Sequence, residues 1–317
     1  MNRTAKIDRS NYQKLVIVGV LLLIMAVLTV LSRDFLTVTN VTNVLRQVST
    51  TVIAGSAVTL LMISGNFDLS IGSILAIAGT MNAIFVTRGM PIPLAILLCV
   101  LIGLVVGVIN GALVVLLEVP SFIATLGTMY AVRGAAWVIT GGNSISRGLT
   151  KAFTVLGRGY VGPVPISIII TAVVFAVFYF IQKKTLLGKY AYAIGGNRRT
   201  ALLSGIGVKR IGVVLYVLVG GLAAFAGTML SSRLGVGNAS VGDGFEFDVV
   251  VAVILGGTSL DGGEGSVFGT LIGALIVGFI ANGLNLLGVH SFYQDIVKGV
   301  VLVGAVFLDR FLKKRIN

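Results

Sequence analysis

The sequence predicts an all-α polytopic membrane protein: a bundle of about 8–10 transmembrane helices, broken near residues 65–70 and 244–249. Three observations carry this. First, 56% of the 317 residues are apolar and only 11% are charged, where a soluble domain carries roughly a quarter charged residues. Second, apolar runs of bilayer-spanning length recur along the whole chain. Third, the basic residues gather in a few segments between those runs. The same composition excludes disorder, which needs low hydrophobicity and high charge. The 42 glycines show no G-x-y period, so collagen is excluded too. One cysteine, Cys99, and one histidine, His290, exclude a disulfide framework and any Cys- or His-rich metal centre.

The first run, 15–31, is uncharged and follows Arg3, Lys6, Arg9 and Lys14. A cleaved signal peptide is the alternative. However, no small-x-small cleavage site follows it, so an uncleaved first span is the preferred reading. Further runs occupy 50–64, 69–87, 94–117, 122–140, 164–181, 211–231, 249–258, 266–288 and 293–308. Those at 50–64 and 249–258 are short for a bilayer core of about 30 Å. Pro91 and Pro93 mark a turn before a span, where a missing N–H costs little. Gly103, Gly107 and Gly111, and Gly269 with Gly273, have the spacing of close helix crossings, although so many glycines produce such spacings by chance as well.

Charge sets the orientation. The net charge is +13. In a soluble protein that would point to nucleic acid; here it reads as the cytoplasmic Lys/Arg excess of membrane proteins, with no nucleic-acid partner. The segment 182–210 holds Lys183, Lys184, Lys189, Arg198, Arg199, Lys209 and Arg210 and no acid. The tail holds Arg310, Lys313, Lys314 and Arg315. Even numbers of runs separate the N-terminus, this segment and the tail, so all three face one side, the cytoplasm. The segment 141–163, with Arg147, Lys151 and Arg158, is an outward exception. It reads equally as a docking surface for an outside partner or as a tolerated bias.

Polarity enters the apolar runs at two places. Gly65-Asn-Phe-Asp-Leu-Ser70 interrupts one run, and Gly244-Phe-Glu-Phe-Asp248 opens another. Both contain Phe-Asp, one in each half of the chain. Broken helices at matching places point to a transport pathway; the plainer reading is two loops, each with a helix-capping Asp. Asn66, Phe67, Asp68, Ser70 and Asp248 are therefore the candidate pathway residues, because charge at membrane depth is expensive and tends to be functional. Asn282 and Asn285 read either as interhelical bonds or as groups facing a substrate hydroxyl. Arg133 reads as a snorkelling side chain. Asp295 and Lys298 are spaced to pair on one helix face.

Several chemistries are absent. There is no G-x-x-x-x-G-K-[ST] phosphate loop, no H-E-x-x-H and no G-x-S-x-G, so no catalytic role, metal or cofactor is implied. The glycine-rich stretch 256–265 reads as a flexible turn. Transport is the default function that remains. In the basic segment, 200–204 reads as a short helix ended by Gly205. Its Ala201, Leu202 and Leu203 suit a groove on a soluble partner. A linker held on anionic lipid is the alternative.

The stretch 187–197, with Ala201 and Ser204-Gly-Ile206, resembles the cytoplasmic coupling region of bacterial ribose-type sugar permeases, the membrane subunits of ATP-binding-cassette importers. Gly65-Asn-Phe-Asp-Leu-Ser-Ile-Gly-Ser73, Phe122-Ile-Ala-Thr-Leu126, Arg133-Gly134, Gly256-Gly-Thr-Ser-Leu260, Gly262-Gly263 and Asn282-Gly-Leu-Asn-Leu-Leu-Gly288 extend the resemblance over nearly the whole chain. It implies a single transmembrane permease domain over 1–317, in the bacterial inner membrane with both termini cytoplasmic. It also implies a second permease subunit, identical or paralogous, and a periplasmic sugar-binding protein that delivers the substrate. A cytoplasmic ATPase would dock on the segment 182–210, with Gly188, Gly195, Gly196, Asn197, Ala201, Leu202, Ser204 and Gly205 as the coupling residues. The resemblance does not name the sugar, nor a chemical role for Asn66, Phe67 or Asp68. An ion-coupled secondary transporter using Asp68 or Asp248 is the competing class, and a scaffold protein is a third.

Overall fold

Long apolar segments must close their own backbone hydrogen bonds, and the chain does so as helices. The structure, a computed structural model, describes residues 9–290 and positions 293, 294, 296, 297, 299, 300, 303, 304 and 307. In chain order the helices are α1 (Arg9–Leu31), α2 (Val38–Ile63), α3 (Ile71–Thr87), α4 (Ile92–Gly111), α5 (Ser121–Thr140), α6 (Val155–Arg158), α7 (Ile166–Lys184), α8 (Leu186–Gly196), α9 (Arg198–Leu203), α10 (Val208–Leu234), α11 (Phe245–Leu255) and α12 (Val267–Leu286). A two-residue hairpin pairs β1 (Tyr160–Val161) with β2 (Val164–Pro165). Among the described residues, six helices are long and apolar enough to cross a membrane; Leu15–Leu31 and Ile71–Thr87 are shorter apolar helices.

Nine of the ten expected runs fall on these helices. The tenth, 293–308, lies partly outside the described residues. The Asp295–Lys298 pair, the basic tail, Arg3 and Lys6 lie outside them altogether. The run at 50–64 looked short because polar residues precede it. In the structure α2 begins at Val38, capped by the Thr37 side chain, which accepts from the Asn40 amide. Its polar first third is partnered: the Arg46 guanidinium lies 4.3 Å from the centre of the Tyr160 ring.

Buried α2 and α10 form the centre of the bundle. The glycine spacings have a packing reason. Gly103 of α4 and Gly220 of α10 sit on each other's carbonyls, and Gly107 sits on the Tyr216 carbonyl, so side chains there would force the helices apart. Gly269 and Gly273 of α12 meet Gly256 and Ala252 in the same way. The outward faces of α4, α5 and α7 stay apolar (Leu101, Val105, Phe122, Val138, Val173 and Phe180 are all exposed), which suits contact with lipid.

Two expectations need correction. The basic segment 182–210 contains two helices, α8 and α9, rather than one. Gly188, Ala191 and Ile194 bury one face of α8, and Thr185 caps its start. The stretch 256–265 is packed rather than loose. The Gly263 amide donates to the Ile63 carbonyl at 2.8 Å, and Gly262 lies against Gly65 and Gly195.

Candidate functional site

The first break is a knot of hydrogen bonds. Gly65 takes a left-handed φ of +81° to turn the chain after α2. Asp68 is 1% exposed. Its carboxylate accepts from the Ser70 amide (2.8 Å), the Ser70 hydroxyl (2.6 Å) and Asn110 Nδ2 (3.1 Å). Asn110 also donates to Ser70 Oγ at 2.8 Å. The Tyr216 hydroxyl donates to the Phe67 carbonyl (2.8 Å), and the Leu69 amide donates to Thr125 Oγ1 (3.1 Å). Asp68 thus sits just before α3, where negative charge and amide acceptance are both favourable. Side chains from α5 and α10 satisfy the unwound backbone, and Asn110 of α4 bonds the Asp68 and Ser70 side chains.

The second break lies earlier than expected: 245–249 is already the start of α11, and the irregular segment is 235–244, held by Arg133. This half-buried guanidinium donates to the carbonyls of Ala239 (2.8 Å), Val241 (3.0 Å) and Gly242 (3.0 Å). It therefore grips a loop instead of snorkelling to an interface. Gly244, at φ +77°, starts α11. Glu246 is 3% exposed, and its carboxylate occupies the place where a Gly72 side chain would be, so the first turns of α3 and α11 meet. In the sequence Glu246 is inconspicuous beside the shared Phe-Asp pairs, because its neighbour Gly72 lies far along the chain. Those pairs are not equivalent in space. Asp68 precedes its helix, whereas Asp248 lies inside α11 and borders a narrow apolar cleft with Val251, Val277 and Ile280.

The residues expected to couple to an ATPase lie on the other side of the first break. Gly195, near the end of α8, is wedged against the Ile63 carbonyl and the Gly263 amide, and Gly188 against the carbonyls of Ile181 and Gln182. The Tyr192 hydroxyl donates to the Gly265 carbonyl (2.6 Å) and accepts from Gln182 Nε2 (2.8 Å), while Gln182 Oε1 accepts from the Val267 amide (3.1 Å). Burial pushes the Tyr192 pKa up and keeps that hydroxyl neutral. Asn197 caps α9 by accepting from the Thr200 amide at 2.9 Å. Ala201 packs inward on Ile194 and Val208, whereas Leu202 and Leu203 are 63% and 81% exposed. The Ser204 hydroxyl donates back to the Thr200 carbonyl (2.9 Å), and Gly205, at φ +79°, turns the chain.

A cavity of about 440 Å³ joins the two regions. Ser64, Gly65 and Asn66 form one side; Ile194, Gly195, Gly196, Asn197 and Arg198 form another; Val114, Val115, Val208, Gly212 and Asp261 complete it. Asn66 is the one predicted pathway residue on this cavity. Asn282 instead exchanges two hydrogen bonds with Asn40 (2.9 and 2.8 Å), and Asn285 accepts from Gln294 Nε2 (2.7 Å). Among the described residues no cluster of three His, Cys, Asp or Glu side chains is placed to hold a metal.

Residues 40–306 match the family model described as the permease component of the branched-chain amino acid transport system. The chain belongs to this family of permeases. Among curated relatives, the ribose import permease of Bacillus subtilis is 44% identical over 291 residues, covering 92% of this chain and 90% of that one. The ribose import permease of Haemophilus influenzae is 42% identical over 295 residues, covering 92% and 91%. A xylose transport permease from the same organism is 32% identical over 373 residues, covering 98% and 99%. No solved structure matches the chain. Its membership and its six long apolar helices make the chain a multi-pass membrane permease, a transport component.

Proposed function

We propose that the chain, as one transmembrane permease domain over 1–317, carries a ribose-like monosaccharide into the cytoplasm as a subunit of an ATP-driven importer. It sits in the bacterial inner membrane with both termini inside, beside a second permease copy or paralogue. The relatives named for ribose and xylose transport support the sugar class. The observation that carries the mechanism is the α8–α9 unit. Gly195 and the Tyr192–Gly265 bond fix it to the core, while Leu202 and Leu203 stand exposed on a short helix ringed by Arg198, Arg199 and Lys209. This is the form of an apolar knob for a groove on a separate subunit, here the cytoplasmic ATPase. The exposed Arg147 and Lys151 precede the opposite end of α7 and suit a periplasmic sugar-binding protein, whereas Arg158 spends its guanidinium on the carbonyls of Arg233 and Leu234. The pathway runs past the two breaks, with Asn66 on the cytoplasmic cavity and the Asp68–Ser70 knot shaping the turn above it.

The test is uptake of labelled D-ribose into liposomes holding the permease, with and without its ATPase and binding protein. Uptake that needs both, and that is lost in Leu203→Glu together with ATPase co-purification while the protein stays inserted, is the expected outcome. Gradient-driven uptake without an ATPase would refute it in favour of an ion-coupled carrier.

A further inference from the structure

The end of the bundle away from α8 and α9 carries a cluster of arginines from three separate elements: Arg46 of α2, Arg158 of α6 and Arg233 of α10. Arg46 Nη2 donates to the Arg158 carbonyl at 3.4 Å. Arg158 donates through Nε to the Arg233 carbonyl (2.6 Å) and through Nη2 to the Leu234 carbonyl (2.8 Å). The Tyr160 ring holds the Arg46 guanidinium from one side, and Gly157 lies directly against the Arg233 backbone. The three side chains are therefore held together by the fold.

These bonds use only part of the donors, since each guanidinium carries five N–H groups. Arg46 Nε is shut away from solvent with no acceptor. Among the described residues the Arg233 guanidinium makes no hydrogen bond, and none of the three arginines forms an ion pair with a carboxylate. Arg46 and Arg233 are close enough for their charges to repel. Like charges held together with spare donors and no acid favour an anion between them. A guanidinium fork matches the paired oxygens of a phosphate.

The surroundings say which phosphate. Arg233 stands in the last turn of α10, whose 27 residues extend about 40 Å, the thickness of a bilayer with its headgroup layers. Val155, Tyr160 and Val161, close to Arg158 in the chain, are exposed apolar side chains. A free anion would leave that apolar surface unused, whereas a lipid covers it with acyl chain. We propose that Arg46, Arg158 and Arg233 form a site for the phosphate headgroup of an anionic phospholipid, and that the bound lipid staples α2, α6 and α10 together. The site requires only that the chain lies in a bilayer and is independent of the solute carried.

The test gives purified full-length permease, in neutral detergent, equal amounts of phosphatidylglycerol and phosphatidylcholine, and counts retained lipid by native mass spectrometry. Phosphatidylglycerol is expected to be retained about tenfold in preference. Arg233→Gln and Arg46→Gln are each expected to lower that preference about threefold, as for a partly exposed ion pair, and the double variant to abolish it. Arg88→Gln, an exposed base on the same end beside the segment 141–163, is expected to keep it. Arg233→Gln removes no hydrogen bond made by that side chain within the described protein, so it decides the question alone should Arg46→Gln, which loses its Tyr160 contact, fail to fold. Phosphatidylglycerol is also expected to raise the melting temperature of the wild type and not that of the double variant, while inorganic phosphate leaves both unmoved. Equal stabilisation by inorganic phosphate would make this a free-anion site and overturn the lipid assignment. An unchanged preference in folded Arg233→Gln, or an equal loss in Arg88→Gln, would overturn the proposal. So would variants that keep their lipid preference but lose association with an acidic protein partner, because the arginines would then read a protein surface.

Discussion

Replacing Gly195 by alanine tests how the α8–α9 segment is seated. The new methyl would overlap two backbone atoms, the Ile63 carbonyl oxygen and the Gly263 amide nitrogen, which are themselves hydrogen-bonded at 2.8 Å. Neither atom is the end of a flexible side chain, so backbone has to move, by about 1 Å or more to restore van der Waals distance. Overpacking of this kind costs about 1–3 kcal/mol. If α8 lifts to relieve it, the seated arrangement loses about 5- to 150-fold in relative population. The assays are thermal unfolding of purified permease and initial sugar uptake by the reconstituted complex. Both are expected to fall in Gly195→Ala, with uptake down at least fivefold. Gly127→Ala is the comparison: it lies inside α5, where a Cβ meets nothing within 4 Å. Its melting temperature is expected to hold or rise slightly, since alanine favours helix over glycine by up to about 1 kcal/mol. Wild-type melting and uptake in Gly195→Ala, or an equal loss in Gly127→Ala, would refute the reasoning.

Two further outcomes follow from named bonds. Tyr192→Phe strips the Gly265 carbonyl of a 2.6 Å donor and Gln182 of an acceptor. A loss of about 1–2 kcal/mol in unfolding free energy is expected, and it should be non-additive with Gln182→Ala because the two share one network. The reciprocal Asn40–Asn282 pair predicts a coupling energy of about 0.6–2 kcal/mol in a double-mutant cycle. Strictly additive single losses would mean that the pair does not hold α2 to α12.

The spans were legible because a run of apolar residues without charge admits little else at this hydropathy. Legibility failed where packing, not composition, made the helix. The first third of α2 reads polar, with Asn40, Asn43, Arg46 and Gln47, yet Asn40 finds Asn282 and Arg46 stacks on Tyr160 from far along the chain. The α8 helix was missed because its three glycines and flanking bases look like a loop. At Gly188 and Gly195 the glycine marks a close approach to backbone that sequence spacing cannot reveal. The sequence predicts the short helix from Thr200, whereas α9 starts two residues earlier because Asn197 caps it. Arg133 was misread for the same kind of reason: its three carbonyl partners lie more than 100 residues away.

The two breaks share one physical problem and solve it in the same way. At 1.5 Å per residue the 11 residues of α11 reach about 16 Å, roughly half of a 30 Å bilayer core, so α11 is too short to cross it alone. The first turn of α11 meets Gly72 at the start of α3, so the two unwound segments lie together inside the bundle. Irregular backbone survives there only when it is buried in protein or lines a water-filled cavity. Side chains provide the first solution: Tyr216 and Thr125 for the 64–70 segment, and Arg133 for 235–244. Of the first break, Ser64, Gly65 and Asn66 border the cavity. A path that extends inward from there must exchange these side-chain bonds for water or substrate hydroxyls. Such an exchange keeps the number of hydrogen bonds nearly constant, and under the proposed coupling the α8–α9 segment, which lies against Ile63 through Gly195, adjoins the turn where it would occur.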